Sequence, residues 1–211
     1  MSYNITPYDK IIRLAKVTIE GTQFGAPKNK DYHKIMAGVE LNFRANKATN
    51  PIHQKAYGRY ILASDLYQVE NIEDAKMRSY IQLGYNLQKV SLINPYNLQI
   101  SLESGSLYQK ATVDFNYKQS YVGRENGLEM RFFAGTMLQS NSSNSFYSLA
   151  PGGRSGRDQY LYEGTFPDRF GVYPTTFFSR QMTVSEGGLV SPVNDKLGYS
   201  KWLMSLSLSS N

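Results

Sequence analysis

The strongest constraint on this chain is a hydrophobic rhythm of period two. Over 32–45 (YHKIMAGVELNFRA), Ile35, Ala37, Val39, Leu41 and Phe43 fall on one side of an extended backbone, and Lys34, Glu40, Asn42 and Arg44 on the other. Successive side chains of a strand point to opposite faces, so the pattern requires a strand whose two sides meet unlike surroundings. The rhythm returns over 77–89, where Ile81, Leu83, Tyr85 and Leu87 oppose Arg78, Gln82, Asn86 and Gln88. Over 96–103 it sets Tyr96, Leu98, Ile100 and Leu102 against Asn97, Gln99, Ser101 and Glu103. It is clearest over 107–121, with Ala111, Val113, Phe115, Tyr117 and Tyr121 against Lys110, Thr112, Asp114, Asn116 and Lys118.

Weaker alternation over 10–20, 57–69, 127–138, 158–166, 177–186 and 200–208 brings the expectation to about ten strands. A single helical turn over 69–77 (VENIEDAKM) is the one departure. Ser104-Gly105-Ser106 and Gly123-Arg124-Glu125-Asn126-Gly127 read as hairpin turns, which makes neighbouring strands antiparallel. Longer loops are expected at 21–31, 46–56, 139–157, 167–176 and 187–199, all rich in Gly, Pro, Ser or Asn, with a low-complexity run at 140–145 (SNSSNS). No shift of composition marks a domain boundary. The expected fold is all-β: one domain over 1–211, an antiparallel meander forming most or all of a β-barrel, with 1–30 as a lead-in strand and loop.

Composition narrows the function classes. With 41% hydrophobic and 13% aromatic residues the chain has ample surface to bury, which argues for a packed fold and against disorder. The absence of Cys excludes thiol nucleophiles, disulfides and Cys-based metal sites. No segment approaches the ~18–20 apolar residues of a transmembrane helix. Met1 to Tyr8 lacks the basic region and apolar stretch of a secretory signal. The net charge of +6 comes from scattered Lys and Arg without a basic run or an RNA-binding motif, so no nucleic-acid partner is expected. The same charge suits anionic headgroups.

Alternation does not say which face is wet. A soluble barrel turns its apolar residues inward; a transmembrane barrel turns them outward and lines its interior with polar groups. Three features favour the outer-membrane type. Several segments are longer than the usual ~5–6-residue strand and match the ~9–11 residues of a tilted membrane strand. The polar faces mix Asn and Gln with charges of both signs, as in Lys110, Asp114 and Lys118, or Glu129 and Arg131, which resembles a hydrated, ion-paired lumen. The 17 Tyr and 10 Phe often stand near strand ends (Tyr57, Tyr60, Tyr67, Tyr80, Tyr108, Tyr117, Tyr121, Phe177, Phe178), where they could form aromatic girdles. The alternative is a soluble β-barrel that binds an apolar small molecule.

No residue reads as catalytic, cofactor-binding or metal-ligating, so neither an enzyme nor a cofactor is expected. His33 and His53 stand twenty apart with no Glu after either, which is not the spacing of a helical zinc site. The loop Pro151-Gly152-Gly153-Arg154-Ser155-Gly156-Arg157-Asp158 could hold an anion on its backbone N–H groups, but it lacks the ending of a P-loop and reads as a surface loop. Glu103, Asp114 and Glu129 stand where Lys or Arg of a neighbouring strand can face them, as ordinary cross-strand pairs.

From residue 94 onward a resemblance enters. NPYNLQISLESGSLYQKATVDFNYK at 94–118, GLEMRFFAG at 127–135, DQYLYEGTFPDR at 158–169, QMTVSEGGLVS at 181–191 and KWLMSLSL at 201–208 are similar to the C-terminal β-barrel region of large bacterial aminopeptidase N-like zinc metallopeptidases of the gluzincin type. The similarity covers roughly the last 120 residues, in order. In that family an HExxH helix with a downstream Glu precedes the barrel, and no stretch here matches it, so no catalytic residue carries over. The resemblance implies a non-catalytic piece of a larger protein in the bacterial outer membrane, anchoring or scaffolding a peptidase. Its implied partners are the bilayer, further strands of the parent and a peptidase domain.

Overall fold

The computed structural model describes residues 2–5, 12–26, 30–43, 51–64, 77–106, 108–121, 126–140, 149, 154–155, 182–183 and 200–210. These form β1 (Ser2–Ile5), β2 (Ile12–Ala26), β3 (Lys30–Phe43), β4 (Ile52–Ser64), β5 (Met77–Lys89), β6 (Tyr96–Gly105), β7 (Tyr108–Ser120), β8 (Gly127–Ser140), β9 (Arg154–Ser155), β10 (Met182–Thr183) and β11 (Trp202–Ser210). Nine strands make one sheet in the order β1-β2-β3-β4-β5-β6-β7-β8-β11, and β9 pairs with β10 apart from it. Each pairing is antiparallel, so the expected all-β meander is the observed architecture.

The expected closure into a barrel is not observed. β1 and β11 are the two edges of the sheet. Among the described residues the ladder at β1 pairs Ser2–Ile5 with Ala15–Thr18.

Strand limits follow the rhythm where both faces obey it. The expected strands at 77–89, 96–103, 107–121 and 127–138 stand as β5 to β8 with ends shifted by two residues at most. Where the wet face is long and polar, expectation and structure part. His53, Gln54 and Lys55 read as loop, yet they pair with Gln88, Leu87 and Asn86, so β4 (Ile52–Ser64) begins five residues before the expected 57, and the expected stretch 65–69 lies outside the described residues. The loop expected at 21–31 is largely strand, since Gly21–Ala26 pairs with Lys30–Ile35. The lead-in assigned to 1–30 likewise contains β1 and β2. The strand expected at 158–166, most of 177–186, the helical turn expected at 69–77 except for Met77, which opens β5, and the loops at 167–176 and 187–199 lie outside the described residues.

Local devices set the turns. Asn94 takes φ 50, the left-handed region that Asn tolerates better than most residues, and turns the chain between β5 and β6. Its backbone N–H donates to Ser120 Oγ at 3.1 Å, and its side-chain carbonyl accepts from the Ser120 N–H at 2.9 Å, tying that turn to the end of β7. Two glycines admit rings against the backbone. A Cβ on Gly84 would lie 2.1 Å from the Tyr57 ring, and one on Gly105 would lie 2.6 Å from the Tyr80 ring.

Candidate functional site

Register converts the rhythm into two surfaces. Ala15, Leu41, Ala56, Tyr85, Ile100, Val113, Ala134 and Met204 are successive cross-strand partners from β2 to β11, an apolar row across the sheet. The next row on that face runs Val17, Val39, Gly58, Leu83, Leu102, Ala111, Thr136 and Trp202. The intervening positions form the opposite face, with rows such as Lys16, Glu40, Tyr57, Gly84, Ser101, Thr112 and Gly135, or Gly38, Arg59, Gln82, Glu103 and Lys110.

The apolar face is the exposed one. Along β11, Trp202, Met204, Leu206 and Leu208 are 66%, 62%, 66% and 60% exposed, while Leu203, Ser205 and Ser207 between them are half-buried. In β5, Ile81 and Leu83 are exposed while Arg78 and Gln82 are half-buried and Tyr80 is buried. Among the described residues eighteen large apolar side chains are exposed and seven hydrophobic residues are buried, so the sheet does not keep its apolar mass in a core. Charge obeys the same division. Of the charged side chains described within β2 to β8, all but Arg13, at the irregular first pair of β2, and Lys89, the last residue of β5, have the parity of the shielded face.

The shielded face is cross-linked by polar contacts. Arg131 grips Asp114 with Nη2–Oδ2 at 2.5 Å and Nε–Oδ2 at 3.1 Å, and Asn116 donates to Asp114 Oδ1 at 2.7 Å. Lys118 Nζ stands 3.2 Å from Glu129 Oε1. Glu103, 5% exposed, accepts from the Tyr108 hydroxyl and lies 3.9 Å from Lys110 Nζ. Asn86 donates to Asn97 at 2.7 Å, and Ser101 and Thr112 share a hydroxyl contact of 2.6 Å. Arg59 lies 4.6 Å above the Tyr57 ring and reaches Gln82 Oε1 at 3.4 Å. The cross-strand pairing expected for Glu103, Asp114 and Glu129 is present at all three carboxylates.

Two ends of this face differ. Towards the start of β5 it turns apolar, with Ile61, Ala63, Tyr80, Tyr108 and Met137 buried together with Leu149, which bridges to Ser200. Towards the Lys89 end of β5 a cavity of about 380 Å³ opens between β5, β6, β7, β8 and β11. Gln88, Asn97, Asn116, Lys118, Glu129, Arg131, Ser207 and Ser209 have the parity that faces it, and Lys89, Tyr96, Tyr117 and Met130 border it from strand positions whose side chains belong to the other face.

The aromatic residues read as girdle candidates fall on both faces. Tyr60, Tyr117 and Tyr121 stand on the apolar face or just past its strands, but Tyr57, Tyr80 and Tyr108 have the opposite parity, and Tyr80 and Tyr108 are buried 5.8 Å apart on the shielded face. Position near a strand end does not fix a face; parity does. Tyr67, Phe177 and Phe178 lie outside the described residues. His33 and His53 are exposed at opposite ends of the β3–β4 hairpin, eleven register steps or roughly 35 Å apart. Of the Gly-rich loop at 151–158 only the Arg154–Ser155 backbone is described, paired with Met182–Thr183. The polar cavity was not singled out from sequence, because it needs the register that places Gln88, Asn97, Asn116 and Arg131 in one row. Comparisons with protein-family models, curated proteins and solved structures return no match, and none bears on the resemblance to the aminopeptidase-associated barrel.

Proposed function

We propose that the chain is a membrane-embedded β-sheet wall of outer-membrane type, with a non-catalytic anchoring or scaffolding role. One observation carries this reading: the apolar rows are exposed and the charged rows shielded, the polarity expected of a barrel wall in lipid. The magnitude supports it. Moving a large aliphatic side chain out of water is worth about 1.5–3 kcal/mol, so the fifteen aliphatic and Met side chains exposed near one half represent on the order of 10–20 kcal/mol, before Tyr60, Tyr121 and Trp202 are added. That is as large as the ~5–15 kcal/mol net stability of a typical domain, and an apolar medium would recover it. Strand length agrees, because β2 to β5, β7 and β8 have 13 to 15 residues and suffice to cross the apolar layer when tilted.

The soluble alternative with an apolar ligand inside fits less well, since the apolar side chains of the shielded face are already buried against one another at the end near the start of β5, and the rest of that face offers amides, hydroxyls and ion pairs. The non-catalytic role is supported by Glu103, Asp114 and Glu129, each held by a Lys or Arg partner across the sheet, and by the separation of the two histidines. Association with a zinc peptidase domain rests on the resemblance over residues 94–208 alone. The test is refolding of the full chain with and without detergent micelles. A β-rich, monodisperse species is expected only with micelles, and a monodisperse, detergent-free monomer would overturn the reading; peptidase activity of the purified chain would overturn the non-catalytic role.

A further inference from the structure

We infer that the cavity at the Lys89 end of the shielded face binds a neutral, polyhydroxylated solute of one or two sugar rings. This deepens the membrane-wall reading, on which it rests for its setting at the mouth of a polar interior. The cavity, about 380 Å³, lies at the lower end of the ~300–1,000 Å³ typical of small-molecule sites.

The charged side chains whose parity faces the cavity are paired: Lys118 with Glu129 at 3.2 Å and Arg131 with Asp114 at 2.5 Å, while Lys89 borders it from a position of the other face. The facing row itself leaves no unpaired charge to draw an ion. What remains for a ligand is hydrogen-bonding capacity of both senses. Asn97 spends its carbonyl on Asn86 and keeps its N–H₂ group; its cross-strand partner Asn116 spends its N–H₂ on Asp114 and keeps its carbonyl. The donor and the acceptor thus belong to paired residues of neighbouring strands, whose backbones lie ~4.8 Å apart, a separation within the span of a hexose ring. A hydroxyl both accepts and donates, so one hydroxylated ring satisfies both amides, whereas an anion satisfies only the donor and a cation only the acceptor. Ser207 and Ser209 add hydroxyls from β11 on the far side of the cavity.

The experiment is calorimetric titration of the full chain in detergent micelles with maltose and sucrose, and with sodium phosphate as the anionic probe. Saturable binding of at least one disaccharide is expected, with phosphate at least tenfold weaker. Asn97→Leu and Asn116→Leu should each weaken the disaccharide at least tenfold while Thr18→Val, on β2 away from the cavity, leaves it unchanged. Should either Leu variant fail to fold by circular dichroism, Ser207→Ala carries the same test with an expected loss of about threefold or more. Phosphate binding as tight as the disaccharide, or no disaccharide binding by a chain that enters micelles folded, overturns the site and leaves the wall standing. Disaccharide binding by a chain that stays monomeric without detergent keeps the site and overturns the wall.

Discussion

At Gly84 the absence of one methyl group decides how the shielded face packs. The Tyr57 ring lies flat over that backbone, and Arg59 stacks on the ring in turn. Gly84→Ala must displace the ring, and overpacking of this kind costs about 1–3 kcal/mol, to be read as a lowered urea midpoint. Gly58→Ala is the matched control, because its nearest neighbour, Leu83, would sit at an ordinary 3.4 Å. Glu103→Ala removes the acceptor shared by Tyr108 and Lys110; leaving buried donors unmet costs roughly 1–3 kcal/mol, and Glu103→Gln should recover part of it. At this scale the sequence was legible in parity. Tyr80 stands between Ser79 and Ile81, two residues from Arg78 and Gln82, and parity alone puts it on the polar face. Reading it by closeness to a strand end obscured that, because Tyr is at home on either kind of surface.

Strands and turns show where a period-two pattern stops being informative. β5 was legible end to end because apolar and polar residues alternate without a break from Tyr80 to Gln88. β4 was not, because His53-Gln54-Lys55 puts a polar residue on both faces and only pairing with β5 reveals it as strand. An outward-facing site on a central strand separates lipid from water at the element scale. Leu102→Arg should cost about 2–4 kcal/mol if that face meets the bilayer interior, and within about 0.5 kcal/mol of nothing if it meets water. Thr112→Lys, on the shielded face, should be tolerated better in either setting. The chain has no Cys, so single cysteines along β11 report their own faces. In vesicles a water-soluble maleimide should label Ser205→Cys and Ser207→Cys faster than Met204→Cys and Leu206→Cys; the reverse order would contradict the assigned polarity.

For the whole molecule, the fold class was readable from sequence and the closure was not. Alternation fixes that a strand has two kinds of neighbour, but the number of strands and the meeting of the edges depend on pairings that no local pattern encodes. The cavity shares that limit, since its wall is a row built from five strands. Among the described residues β1 and β11 are the edges of the sheet, and if the proposed wall stands in lipid, backbone groups left unpaired there would cost several kcal/mol each, so that proposal requires further pairing at both edges. The most direct test of the central claim uses the one tryptophan, Trp202, on the exposed face of β11. In full-length protein folded into vesicles, its emission should be blue-shifted and quenched by lipids brominated on their acyl chains. Emission at the wavelength of a water-exposed indole, untouched by brominated lipid in protein that is folded, would contradict the account.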